Sequence, residues 1–70
     1  MGIVSDNIRA FRKANGWTQQ ELGSMLGIGK QAIWKYEHGL VVNLKYATIL
    51  QMCQIFGCSP NKLLGWEGEQ

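Results

Sequence analysis

Apolar residues recur along the chain at the three- and four-residue spacing of amphipathic helices, and strand-like alternation is nearly absent. Capping residues and glycines divide this pattern into five predicted helices with very short connections. Without their caps and terminating glycines, the approximate limits are 6–15, 19–26, 30–38, 44–56 and 60–64, and Ser5 precedes the first helix. The pattern therefore predicts one all-α, five-helix domain over residues 1–70, with a core at 5–64 and a frayed tail at 65–70.

Local signals mark several of these helix starts. Thr18 with Glu21 three residues later predicts a capping box, and Ser59 before Pro60 is typical of a helix N-terminus. Asn43 is expected to cap the fourth helix. The apolar residues expected to face the core are Ile8, Phe11, Leu22, Met25, Leu26, Tyr46, Ile49, Leu50, Cys53, Phe56, Leu63 and Leu64.

The third helix has an unusual polar face. At 3.6 residues per turn, one face carries Lys30, Gln31, Trp34, Lys35 and His38. Before it, Gly27-Ile28-Gly29 gives the three-residue spacing of a helix-turn-helix. Gly27 is expected to adopt the left-handed backbone conformation. Such a turn buries Ile33 and leaves the polar face free.

Composition limits the possible functions. A 70-residue chain with 46% hydrophobic and 17% charged residues is typical of a small globular domain. Its net charge of +2 allows a polyanionic partner without requiring one. Cys53 and Cys58 could form one disulfide, but two reduced thiols are favoured, and no second pair completes a zinc site.

Other classes of function lack their usual signals. The chain has one histidine, no nucleophile–base pair and no glycine-rich phosphate loop, so we expect no enzyme activity, metal, cofactor or small-molecule ligand. The N-terminus does not resemble a secretion signal, and no apolar run reaches membrane-spanning length. These observations favour a cytoplasmic protein.

Residues 8–64 resemble the XRE family of helix-turn-helix proteins, which includes the phage Cro and CI repressors. The resemblance lies in "IRAFRKANGWTQQELGSMLGIGKQAIWKYEHG" and "LQMCQIFGCSPNKLL", with R-x3-G-x-TQ-x-EL and YE-x-G in one register. It implies a lambda-repressor-like fold that binds double-stranded DNA through its third helix. It also implies an ion pair between Arg12 and Glu37.

The resemblance further suggests roles for individual side chains. The candidates for base reading are Lys30, Gln31, Trp34 and Lys35, and those for phosphate binding are Thr18, Gln19, His38, Asn43 and Lys45. The chemistry agrees, because lysine can donate to guanine and glutamine can pair with adenine in the major groove. For the lysines and glutamine the alternative is a solvated helix face, and His38 also suits a helix C-terminus.

The chain departs from the family pattern at three places. Gly29 stands where the family often has a capping serine, and Trp34 stands where small or polar residues are usual. The apolar residues 40–42 replace a loop that is commonly polar. Trp34 is compatible with a DNA contact, with packing at the helix edge, or with a protein partner.

Together these features predict a sequence-specific regulator of transcription, expected to be a repressor from a prophage or mobile element. A homodimer on a palindromic operator is expected. The apolar residues that could form its contacts, or simply cover the core, are Leu40, Val41, Val42, Leu64 and Trp66. The alternatives are an antitoxin with a toxin partner, a restriction–modification controller, and a protein-interaction module without specific DNA binding.

Overall fold

The computed structural model describes residues 2–40 and 44–65. These residues form five helices: α1 (Ile3–Ala14), α2 (Gln19–Leu26), α3 (Lys30–Glu37), α4 (Tyr46–Phe56) and α5 (Pro60–Leu64). No strand occurs in the described ranges. The predicted all-α architecture is therefore confirmed, and α2 packs mainly on α3, while α1 packs on α3 and α5.

Two helix starts differ from the prediction. The N-cap of α1 is Gly2, and Ser5 is a buried residue inside the helix instead of preceding it. The earlier start allows Val4 to pack against the core. The N-cap of α4 is Lys45 instead of the predicted Asn43, which lies outside the described residues. Leu44 precedes α4 and packs on the core from outside the helix.

The other predicted caps are confirmed. The Thr18 hydroxyl accepts a hydrogen bond from the Glu21 N–H at 3.0 Å, and the Glu21 carboxylate accepts one from the Thr18 N–H at 2.8 Å. At α5, the Ser59 hydroxyl accepts from the Lys62 N–H at 3.1 Å. Both capping side chains lie at surface positions, so they stabilise the helix starts locally.

The core lies where the five helices meet. Its buried members are Ile8, Leu22, Leu26, Ile33, Ile49, Met52, Cys53 and Leu63. An aromatic edge borders it, where Phe56 stacks on Phe11 with ring centroids 5.1 Å apart and on Trp17 at 6.3 Å. Both cysteines are free thiols, Cys53 buried and Cys58 half-buried.

The predicted apolar stripes were wrong at three positions. Tyr46 is 70% exposed, Leu50 is also exposed and Met25 is 44% exposed, whereas Met52 is fully buried. Tyr46–Phe56 is apolar around most of its circumference, so its spacing does not determine which side faces the core. Packing of α4 against the other helices determines that side instead.

A long-range contact joins the two ends of the domain. The Asn7 side-chain amide donates to the carbonyl oxygens of Lys62 at 3.2 Å and Leu63 at 2.9 Å. These carbonyls belong to the last turn of α5, whose C=O groups have no partners within the helix. Asn7 of α1 thereby supplies a donor for the Leu63 carbonyl, while the Lys62 carbonyl also accepts from the Gly65 N–H at 3.2 Å.

Candidate nucleic-acid interface

The turn between α2 and α3 determines the direction of α3. Gly27 has φ of +72°, the left-handed conformation predicted for it, and the Ile28 N–H donates to the Gly23 carbonyl at 2.8 Å. Ile28 is half-buried and packs against the core. This closed turn leaves three residues between two helices that cross one another.

Gly23 is a structural residue that was missed in the sequence. A Cβ atom at this position would lie 2.7 Å from the Ile28 carbonyl oxygen and 3.1 Å from the Gly29 carbonyl carbon. No side chain fits so close to a backbone, so the turn can approach α2 only at a glycine. A glycine inside an otherwise amphipathic helix was the signal that could have indicated this contact.

The side chains of α3 separate into a buried side and an exposed side. Ile33 and Glu37 are almost completely buried. The candidate base-reading residues are all exposed: Lys30, Gln31, Trp34 and Lys35. The structure thus brings these four together on one free face, which we call the α3 face.

Glu37 joins α3 to both preceding helices. Its two carboxylate oxygens accept hydrogen bonds from Arg12, from Nε at 2.5 Å and from Nη2 at 3.1 Å. The Arg12 side chain is 12% exposed and that of Glu37 is 2% exposed, so the pair implied by the family resemblance is present and largely buried. Gln19 also donates to Glu37 Oε1, at 3.3 Å. A bidentate contact of this kind fixes orientation as well as distance.

Further arginine contacts hold the end of α3 and the start of α2. Arg9 donates to the Glu37 backbone carbonyl at 3.1 Å and lies 3.7 Å from the Asp6 carboxylate. Arg12 also donates through Nη1 to the Trp17 carbonyl at 2.9 Å. The sequence interpretation missed these backbone contacts. Arginines three residues apart share one side of α1, which was the available signal.

Trp34 and His38 form an exposed aromatic pair. Their rings stack with centroids 3.8 Å apart and an interplanar angle of 20°. His38 is the C-cap of α3, and its Nδ1 lies 2.8 Å from the Trp34 carbonyl oxygen. Because a carbonyl oxygen only accepts hydrogen bonds, Nδ1 is the donor. The indole is therefore part of an ordered pair at the edge of the α3 face.

The candidate phosphate-binding residues lie in different environments. Thr18 is exposed and occupied as the N-cap of α2, Gln19 is half-buried beside Glu37, and Lys45 is exposed before α4. Asn43 lies outside the described residues. Of the candidate dimer contacts, Leu40 is 59% exposed and Leu64 is half-buried. Val41, Val42 and Trp66 lie outside the described residues.

A family model described as "Helix-turn-helix" matches residues 8–63, which is 56 of the 70 residues. This match spans the α2–α3 turn, the α3 face and the ion pair behind it. The chain belongs to the XRE family of helix-turn-helix proteins.

Solved structures similar to this XRE protein include two at more than a quarter identity. The P22 c2 repressor in complex with a synthetic operator matches at a TM-score of 0.83 and 28% identity, over 96% of this chain and 100% of that chain. A hypothetical transcription factor, NHTF, from Neisseria matches at 0.81 and 27% identity, over 90% and 71%. SinR in complex with DNA matches at 0.79 and 23% identity, over 87% and 97%, which supports the fold alone. A comparison with curated proteins found no match.

Membership of the XRE family identifies the protein as a DNA-binding regulator of transcription and not an enzyme. Among residues 2–40 and 44–65, no group of three or more histidine, cysteine, aspartate or glutamate side chains could hold a metal ion. In the same ranges, no helix has the length and apolarity required to cross a bilayer.

Proposed function

We propose that α3 enters the major groove of DNA and that Lys30, Gln31 and Lys35 contact base edges. The observation that carries this proposal is the separation of α3 into two sides. Ile33 and Glu37 hold the buried side, while two lysines and a glutamine are exposed on the other. Lysine can donate to O6 and N7 of guanine, and glutamine can pair with N6 and N7 of adenine.

The charges of α3 support a polyanionic partner. Among the described residues, neither Lys30 nor Lys35 has an ion-pair partner, whereas the only acidic residue of α3, Glu37, is buried against Arg12. The α3 face therefore presents positive charge without a compensating carboxylate from its own helix. Release of counterions from DNA is the main source of affinity for such a surface.

Phosphate contacts from residues outside the base-reading set complete the proposed interface. Thr18 and Gln19 lie at the N-terminus of α2, where free backbone N–H groups favour an anion. The Gln19 amide has two donor hydrogens, so its hydrogen bond to Glu37 leaves one for a phosphate oxygen. His38 and Lys45 are further proposed phosphate contacts, as is Asn43, which lies outside the described residues. Such contacts fix register without reading sequence.

We further propose that two copies bind a palindromic operator. The bound dimer represses transcription by blocking access of polymerase to the promoter. This function requires the protein to be in the cytoplasm with the DNA. Half-sites about 34–36 Å apart would match two symmetric recognition helices. The exposed Leu40 supports an apolar contact between copies, with Val41, Val42, Leu64 and Trp66 as the other proposed members. Sedimentation that shows only monomers, with and without operator DNA, would contradict the dimer.

Selection of binding sites from random duplexes tests the proposed function. We expect one preferred sequence, bound more weakly as salt increases. Lys30→Ala and Gln31→Ala should relax that preference by about 1–3 kcal/mol at the contacted base, while Lys45→Ala should weaken all duplexes alike.

Lys62→Ala is the control, because it removes the same charge from an exposed position of α5. Its binding should remain close to that of the parent. If the selected duplex is bound no better than random DNA at physiological salt, sequence-specific reading is wrong.

A further inference from the structure

The structure points to a defined base contact for the aromatic pair of Trp34 and His38. We infer that Trp34 determines specificity by contacting the C5-methyl group of a thymine, and that His38 is a positioning residue that orders the indole. This inference rests on the proposed function, since it requires α3 to lie in the major groove.

The position of Trp34 on the helix supports a DNA contact. It lies one turn after Lys30 and directly before Lys35 in the chain, so it stands between two exposed cationic positions of α3. Its side chain remains 44% exposed although it stacks on His38. An exposed aromatic side chain between cations suits an anionic partner that also offers apolar groups. DNA has both features.

The chemistry of the major groove identifies which group the indole can contact. Base edges in this groove present hydrogen-bond donors and acceptors, and one apolar group, the methyl of thymine. The carbon surface of an indole forms apolar contacts and covers a large area. A methyl group packed on this surface is removed from water, which favours thymine over the other three bases.

His38 restricts the indole before DNA arrives. The imidazole donates from Nδ1 to the Trp34 carbonyl, one turn earlier in the chain, which fixes the imidazole relative to the helix. The indole in turn lies against this ring at 3.8 Å. A side chain that is ordered in the free protein loses less conformational entropy on binding. His38 therefore acts on thymine recognition through Trp34.

Replacement of each thymine of the selected duplex by deoxyuridine tests this inference, because the change removes only the methyl group. At the contacted thymine we expect the parent affinity to fall about fourfold, the value for one buried methyl-sized group. Trp34→Ala should bind the thymine and deoxyuridine duplexes equally. Trp34→Phe should keep part of the difference, since an apolar ring remains.

The role of His38 requires its own variants. His38→Ala should reduce the thymine–deoxyuridine ratio, and His38→Tyr should restore part of it, because a flat ring can again stack on the indole. Met25→Ala is the matched control, since Met25 is equally exposed, at 44%, on α2. It should keep the parental ratio. Circular dichroism melts confirm that each variant is folded.

Two results would overturn the inference and leave the proposed function intact. One is a parent that prefers its selected duplex but shows no methyl effect at any thymine. The other is the same methyl effect in Trp34→Ala as in the parent. That result would show that the indole does not contact the methyl group and faces solvent or a protein partner instead. If the parent does not distinguish selected from random duplexes, both the inference and the proposed function are wrong.

Discussion

Helices α2 and α3 have equal lengths of eight residues, but their N-termini are stabilised in different ways. α2 begins with a complete capping box between Thr18 and Glu21. The N-cap of α3 is Gly29, which has no side chain to accept a hydrogen bond. α2 therefore has local stabilisation that the sequence alone indicates, whereas α3 lacks it.

Tertiary contacts replace the missing cap of α3. Ile33 is buried in the core, and Glu37 is bound by Arg12 and Gln19 through its side chain and by Arg9 through its carbonyl. These contacts concentrate at the buried side and the C-terminal end, away from the exposed Lys30 and Gln31. The helix proposed to read DNA is therefore positioned mainly by its neighbours.

The strongest test of this comparison removes the ion pair that holds α3. We expect Arg12→Ala to lower the free energy of unfolding by about 3–5 kcal/mol, because the buried Glu37 carboxylate loses its counter-charge. For a domain of this size, the melting temperature should fall by about 12 °C or more, measured by circular dichroism.

A double variant separates the cost of a stranded charge from the value of the pair. Arg12→Met with Glu37→Leu should recover much of the lost stability, since apolar replacements of a buried pair are often tolerated. An Arg12→Ala variant with the same melting temperature as the parent would show that the ion pair does not position α3.

The next test acts on the turn between the two helices. Gly23→Ala should destabilise the protein by about 1–3 kcal/mol, because its methyl group collides with the Ile28 carbonyl and the backbone must move. Ser24→Ala is the control, since Ser24 is the exposed neighbour of Gly23 on α2 and alanine adds no atom there. Urea denaturation measures both. Equal stability of the two variants would contradict the close approach at Gly23.

The smallest effects concern the two N-termini directly. Thr18→Ala should cost about 1 kcal/mol, while Gly29→Ser should add a few tenths of a kcal/mol by giving α3 a capping hydroxyl. Chemical denaturation of both variants measures the difference. If Thr18→Ala is as stable as the parent, the capping box does not stabilise α2, and the proposed difference between the N-termini of α2 and α3 is wrong.

Features that depend on neighbouring residues in the chain were predicted from the sequence. The five helices, the capping box, the left-handed Gly27 and the exposed Lys30, Gln31 and Lys35 follow from spacing and local chemistry. The resemblance to XRE proteins added the pairing of Arg12 with Glu37, which no local pattern indicates. Base reading by Lys30, Gln31 and Lys35 is a proposal that the binding experiments test.

Features that depend on distant residues were missed. Tyr46 and Leu50 were expected in the core, but α4 is apolar on most sides, and its orientation depends on which side the other helices cover. The contacts of Asn7 with α5 and of Gln19 with Glu37 require partners 55 and 18 residues away, respectively. Polar side chains with many possible partners carry no sequence signal that selects one of them.

The separation of α3 into two sides has a consequence for how such proteins diverge. Ile33 and Glu37 hold the helix, whereas the exposed side chains of Lys30, Gln31 and Lys35 form no hydrogen bond or ion pair within residues 2–40 and 44–65. Substitutions at the exposed positions can therefore accumulate without loss of folding, while the buried positions stay fixed. Related regulators can acquire new operators from one scaffold, and an experimenter could graft another set of three side chains onto α3 in the same way.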